Sequence, residues 1–189
     1  SANNIAALLA VRVGGGTGAF LAKMNRAARE LGMARTTYTD PSGLAASTVS
    51  TPTDQLKLAR VDLEIPTFAQ IVAMPAVRLP VVGRVANLDY LVGHRGYVGV
   101  KTGSDEAAGG CLVFARRMTA GGRTFTVLGA VFGQRVGEPV HAAVAAADRL
   151  ASSVVSTGKE RGGDPRRDQG DDARERRRQD GRGEQRAGP

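Results

Sequence analysis

The chain holds a single cysteine, Cys111, so it has no internal disulfide and must hold its fold by packing alone. It contains no run of eighteen apolar residues, which excludes a transmembrane helix. No signal peptide is visible, and since the chain opens on Ser1 rather than Met, that leaves export open. Metal-ligand spacing is lacking too: His94 and His141 stand apart and read as ordinary surface or core histidines, so neither metal nor cofactor is expected. Cys111 lies in the apolar run Cys111-Leu112-Val113-Phe114 and reads as a buried strand residue rather than a reactive thiol.

Apolar residues are nearly absent from one end. Residues 158–189 contain only Ala173 and Ala187 from the hydrophobic set, and cannot bury enough surface to offset their ordering entropy. A domain at 1–157 followed by a disordered charged tail at 158–189 is therefore expected. The tail carries ten basic and eight acidic residues; of the net charge of +8, the remaining +6 belongs to residues 1–157. Interleaved signs and the lack of aromatics beside Arg174-Glu175-Arg176-Arg177-Arg178 argue against a nucleic-acid arm, so no nucleic acid is expected as a partner. A basic domain retains a general attraction to anionic polymers such as cell wall.

What is present is a helical half followed by strands. Asn4–Val13 reads as an apolar helix broken by Gly14-Gly15-Gly16, and a second helix is expected from a Thr17 cap to Leu31. In that helix Phe20, Met24, Ala27 and Leu31 form the apolar stripe, with Gly32 as the stop. The glycine run has no preceding strand and no Gly-Lys-Ser/Thr ending, so it fails as a phosphate loop. Thr36–Thr39 is β-prone and Asp40-Pro41-Ser42-Gly43 is a turn. Thr51 caps a third helix, with Pro52 at its first position and Asp54 completing a capping box. Pro66 opens a short helix to Val72, and Pro75 and Pro80 predict an extended, hinge-like stretch. Strands follow at Val98–Thr102, Gly110–Arg116 and Arg123–Phe132, the last two joined through Ala120-Gly121-Gly122. A closing helix over Glu138–Val155 aligns Val140, Val144, Ala147, Ala151 and Val154. The order predicts an antiparallel sheet covered by helices.

Two short motifs carry the chemistry. Lys101-Thr102-Gly103 on a strand offers an ammonium for an anionic substrate end, a hydroxyl for a carboxylate, and a bare position for close approach. Ser1-Ala2-Asn3 ahead of a helix can place a proton-relaying hydroxyl and a carbonyl-holding amide at one corner; ordinary helix capping by Ser1, Asn3 or Asn4 is the competing reading.

These segments together resemble the serine D-alanyl-D-alanine carboxypeptidases, the low-molecular-mass penicillin-binding proteins. The likeness covers residues 1 to about 155, through Ser1-Ala2-Asn3-Asn4, Phe20–Met33, Thr36, Asp40-Pro41-Ser42-Gly43-Leu44, Ser50–Asp54, Gly99–Ser104 and Ala108–Val113. It implies an α+β fold of the β-lactamase/transpeptidase type, three αβα layers around a mainly antiparallel sheet. It also implies attack by an activated serine on the D-Ala-D-Ala bond of a peptidoglycan stem peptide through an acyl-enzyme, acylation by β-lactams, and an extracytoplasmic location. By position, Ser1 would act in proton transfer and Asn3 in substrate positioning. Lys101 would supply charge, Thr102 would bind the terminal carboxylate, and Gly103 and Ser104 would shape the cleft wall.

The family also has a Ser-x-x-Lys ahead of the second motif, with two earlier strands, and none of these is in the 189 residues. The chain thus reads as an N-terminally truncated fragment, inactive alone and destabilised where the nucleophile helix belongs. Ser156-Thr157-Gly158-Lys159 matches literally, but it follows the third motif at a helix end broken by Gly158 and reads as a decoy. Two alternatives stay open. A class A-like β-lactamase needs a water-activating glutamate, and Asp62-Leu63-Glu64-Ile65-Pro66 lacks that family's Glu-x-x-Leu-Asn run. A non-catalytic remnant could hold peptidoglycan through Lys101 and Thr102. Oligomeric state is not legible.

Overall fold

A computed structural model describes residues 2–135 and 137–161. The elements are α1 (Asn3–Arg12), α2 (Thr17–Glu30), α3 (Pro52–Asp62), α4 (Pro66–Val72), β1 (Ala76–Leu79), β2 (Gly83–Ala86), β3 (Tyr97–Asp105), β4 (Gly109–Ala120), β5 (Arg123–Gln134) and α5 (Pro139–Arg161). Residues 1–151 form one compact unit; of a second unit at 152–189, only the continuation of α5 to Arg161 is described.

The sheet is antiparallel with strand order β3-β4-β5, leaving β3 at an edge. β4 and β5 turn through Gly121 and Gly122, both at positive φ (56° and 74°), the backbone a two-residue hairpin loop needs. Burial along β4 is nearly continuous rather than alternating, which marks a strand covered on both faces. On one face Leu112, Phe114 and Tyr97 pack against Ala143, Val144, Ala147 and Ala151 of α5, and this cluster is the core. Phe114 lies over its cross-strand partner Gly129, which leaves room for the ring. The other face meets α3 and α4. Asp148 ties the two layers together, accepting hydrogen bonds from Tyr97 Oη (2.9 Å) and Arg95 Nη1 (2.6 Å).

Several local expectations are corrected. α2 has Gly16, not Thr17, at its N-cap, and Thr17 is its first helical residue. The stripe holds at Phe20, Met24 and Leu31, all partly buried, but its alanine is Ala28, which is buried, and not Ala27, which is exposed. α2 ends as expected at Gly32 (φ 67°), whose N–H bonds the Arg29 carbonyl while Met33 N–H bonds that of Ala28. Thr51 Oγ1 accepts the Asp54 N–H at 3.2 Å, but Asp54 does not return to the cap. Its carboxylate serves Arg35 N–H (2.8 Å) and the Thr36 hydroxyl (2.9 Å) instead. Thr36–Thr39 contributes only an isolated bridge between Thr37 and Val49. The stretch after Pro75 is not a hinge but the β1–β2 hairpin. α5 runs through Gly158 to Arg161, and Val154 is exposed, so neither the helix stop nor the end of that stripe holds. Residues 162–189 of the expected tail lie outside the described residues.

Candidate active-site groove

An open groove of about 950 Å³ runs along the edge of the sheet. Its floor is the stretch Lys101–Ser104 of β3, paired to Val113, Leu112, Cys111 and Gly110 of β4. One end carries Ala2, Asn3 and Ala6 at the start of α1, and the facing wall is the loop 38–50. Asn3, Lys101, Thr102, Gly103 and Ser104 thus share a single groove; Ser1 lies outside the described residues.

Each lining group has a local cause. α1 is capped at Ala2 without any side-chain bond, so neither Asn3 nor Asn4 is engaged in capping. Thr102 is buried on the strand, whereas a side chain added at Gly103 would meet nothing within 4 Å, so the groove is open there. Lys101 Nζ donates to the Thr102 carbonyl, and desolvation lowers its pKa from the ordinary lysine value. As an edge strand, β3 can take an extended peptide by main-chain pairing.

The facing wall is set by polar clamps. Asn25 of α2 grips Tyr38 by its own main chain: Nδ2 donates to the Tyr38 carbonyl (2.7 Å) and Oδ1 accepts the Tyr38 N–H (2.9 Å). Asp40 organises the turn after it, taking the N–H groups of Ser42, Gly43 and Leu44 on one oxygen and the Thr48 hydroxyl on the other. Burial alone would raise its pKa, but the hydrogen bonds from Ser42, Thr48 and Leu44 outweigh it and hold the carboxyl well below its usual range. The same contest, decided by Arg35, Thr36 and Lys57, lowers Asp54. Burial raises Tyr38, whose hydroxyl accepts from Gln55 Nε2 at 3.2 Å.

Sequence reasoning missed Arg135. It lines the groove and braces the β3–β4 turn, with Nη1 donating to the Glu106 carbonyl (2.9 Å) and Nη2 to that of Ala107. No spacing rule links it to residues 106 and 107; only the end of β5 beside that turn does. Cys111 is half-buried and borders the groove, not sealed in a strand interior as expected. Glu64 lines a separate cavity of about 390 Å³ between α3, α4 and the sheet, and Glu30 lies outside the groove, so neither glutamate is placed to serve a β-lactamase. No group of three metal-ligating side chains occurs among the described residues.

The groove thus brings an edge-strand Lys-Thr-Gly and the start of α1 together on a helix-and-sheet scaffold, and comparison with known proteins gives the class. Residues 1–135 match the D-alanyl-D-alanine carboxypeptidase family of peptidases, and the chain belongs to it. It is 35% identical over 125 residues to a D-alanyl-D-alanine endopeptidase of Escherichia coli K12, covering 60% of this chain and 39% of that protein. Against a D-alanyl-D-alanine carboxypeptidase of Streptomyces sp. K15 it is 35% identical over 123 residues, covering 59% and 41%. The chain spans about two fifths of the length of these curated relatives. The crystal structure of the Streptomyces K15 DD-transpeptidase aligns with a TM-score of 0.61 at 30% identity, over 71% of this chain and 53% of that one. A D-alanyl-D-alanine carboxypeptidase from Mycobacterium tuberculosis gives 0.60 at 34%, over 75% and 55%. The fold is therefore the penicillin-binding transpeptidase fold, built here from an antiparallel sheet between helices.

Proposed function

We propose that the groove is the substrate-binding side of a serine D-alanyl-D-alanine carboxypeptidase acting on peptidoglycan stem peptides outside the cytoplasmic membrane. The observation that carries this reading is the convergence of Asn3 and Lys101–Ser104 on one groove along a sheet edge. A stem peptide lies extended beside β3, its terminal carboxylate hydrogen-bonded by the Thr102 hydroxyl and attracted by Lys101 and Arg135. Asn3 holds a backbone carbonyl of the substrate, and Gly103 and Ser104 leave space for the small D-alanine side chains.

The reaction needs an activated serine, which attacks the carbonyl carbon of the penultimate D-alanine. The tetrahedral adduct collapses, the C–N bond breaks, and Ser1 relays a proton to the departing amine. Water then attacks the resulting ester and releases the shortened peptide and the serine. A β-lactam enters the same groove, and its ring opens onto the same serine. The only Ser-x-x-Lys within 1–189 is Ser156–Lys159, which follows Lys101-Thr102-Gly103 in the chain whereas the family's nucleophile motif precedes it, so on this reading the 189-residue chain alone binds but does not turn over.

The test is an NMR titration of the ¹⁵N-labelled chain with a diacyl-Lys-D-Ala-D-Ala peptide and with its C-terminal amide. Shifts confined to residues 101–104, 135 and the 38–50 loop, strong for the acid and weak for the amide, support the reading. Equal response to acid and amide would falsify the carboxylate assignment, and shifts that map elsewhere would remove the groove from consideration.

A further inference from the structure

The β1–β2 hairpin pairs two arginines along its strands with an apolar tip. From Ile65 to Leu88 there is no acidic residue, while Arg78 and Arg84 sit within the hairpin. They are direct cross-strand partners, so the two guanidinium groups leave from the same face. Like charges placed opposite each other are unfavourable unless an anion meets them, and neither has an ion-pair partner among the described residues. Val77, Val85 and Leu79 occupy the other face and are also exposed.

The tip is more apolar still. Val81 is 106% exposed, the most solvent-facing large apolar side chain described, and its neighbour Val82 is 70% exposed. Val81 holds φ 66°, and Val82 N–H closes a three-residue turn on the Pro80 carbonyl at 2.7 Å. A β-branched residue in that region is costly, and the turn spends this strain on presenting valine to water. Neither strand packs extensively against another element, although isolated two-stranded hairpins are marginal in water. The base is nevertheless fixed: Asn87 N–H bonds the Pro75 carbonyl (2.9 Å) and Asn87 Nδ2 bonds that of Met74 (3.1 Å).

We propose that this hairpin is an interfacial wedge that seats the protein on an anionic lipid surface, with Val81 and Val82 entering the headgroup–acyl boundary and Arg78 and Arg84 meeting lipid phosphates. A cationic neck behind an apolar tip matches that boundary in both polarity and charge sign. A second copy of the chain fits less well, because symmetric pairing would bring the same arginines together. The inference is independent of the groove chemistry: vesicle binding is read without any substrate.

The chain has no tryptophan, so Val81→Trp gives a single emission probe at the tip and Thr124→Trp gives a control on the β4–β5 hairpin. With phosphatidylcholine vesicles containing phosphatidylglycerol, Val81→Trp should shift to the blue and be quenched by brominated acyl chains. Pure phosphatidylcholine should have much less effect, and Thr124→Trp should respond to neither. Arg84→Gln in the Val81→Trp background should weaken partitioning about fivefold, the scale of one cationic residue at an anionic surface. In the otherwise unaltered chain, Val81→Ser with Val82→Ser keeps every charge and should lower vesicle co-sedimentation about tenfold. Unchanged co-sedimentation, equal shifts at positions 81 and 124, or no shift at 81 would each overturn the proposal. So would a Val81→Trp shift that grows with protein concentration in the absence of vesicles, which would mark self-association.

Discussion

Removing one oxygen atom from the core tests how the sheet is joined to α5. Tyr97 begins β3, the strand that carries Lys101, and its ring is buried among Leu112, Phe114 and the α5 alanines. Its hydroxyl donates to Asp148 at 2.9 Å, and Asp148 is also held by Arg95 at 2.6 Å. Tyr97→Phe keeps the packing and deletes the bond. A hydrogen bond to a charged group contributes ~1.5–3 kcal/mol. The Asp148 side chain is 25% exposed, so water can replace part of the loss, and the lower end applies. The expected cost is about 1.5 kcal/mol, or a Tm drop of about 3–6 °C for a chain this size. The Arg95 side chain is 53% exposed, and such ion pairs contribute ~0.2–1 kcal/mol, so Arg95→Gln should cost less.

The pH dependence carries a sign. Burial, reinforced by the bond and charge of Asp148, pushes the Tyr97 pKa up from 10.0 to about 12. A raised folded-state pKa means the stabilisation is complete below pH 10 and is lost as pH climbs from 10 through 12. Urea unfolding of the parent chain should therefore weaken over that window more steeply than that of Tyr97→Phe. If Arg95→Gln proves the costlier change, or if the alkaline limbs of Tyr97→Phe and the parent coincide, the bond does not join the layers as described.

Three further outcomes follow from the packing and the groove wall. Gly129→Ala would drive a Cβ into the Phe114 ring, so thermal unfolding should show a loss of ~1–3 kcal/mol from overpacking, largely recovered by adding Phe114→Leu. Thr51→Ala removes the cap of α3 and should cost about 1 kcal/mol in urea titration. Asp40, whose folded pKa is depressed, stabilises the wall above the ordinary carboxylate range and loses that contribution as pH falls through its folded value. Asp40→Asn should flatten the acid limb of stability and speed amide exchange at residues 42–44; unaltered exchange would show that the turn holds without it.

What could be read from the sequence was what short-range chemistry decides. Thr51-Pro52 and Pro66 placed helix starts because cap and proline act within a turn, and Gly121-Gly122 placed a hairpin because few residues adopt its backbone. Lys101–Ser104 was legible as a strand motif, and its meeting with Asn3 followed from resemblance rather than from spacing. The misses were settled by partners distant in the chain. Alanines at 27 and 28 are equally small and apolar, so sequence could not tell which of them joins Phe20, Met24 and Leu31 on the α2 stripe; packing buried Ala28. Asp54 left its capping box because Arg35 and Thr36 offered better donors. Pro75 and Pro80 hid a hairpin whose strands are short and exposed, with one proline before it and the other in its turn. Arg135 acquires its place only once β5 ends beside residues 106 and 107.

The most direct test of the central claim is intact-protein mass spectrometry after incubation with benzylpenicillin, followed by peptide mapping. It would compare the 189-residue chain with the same chain extended by the coding sequence that precedes Ser1 in its gene. The account predicts no adduct on the 189-residue chain and one adduct on the extended form, at a Ser-x-x-Lys serine upstream of Ser1 and slowed by Thr102→Val. A covalent adduct on Ser156 or any other serine within 1–189, or an extended chain that never acylates, would contradict it.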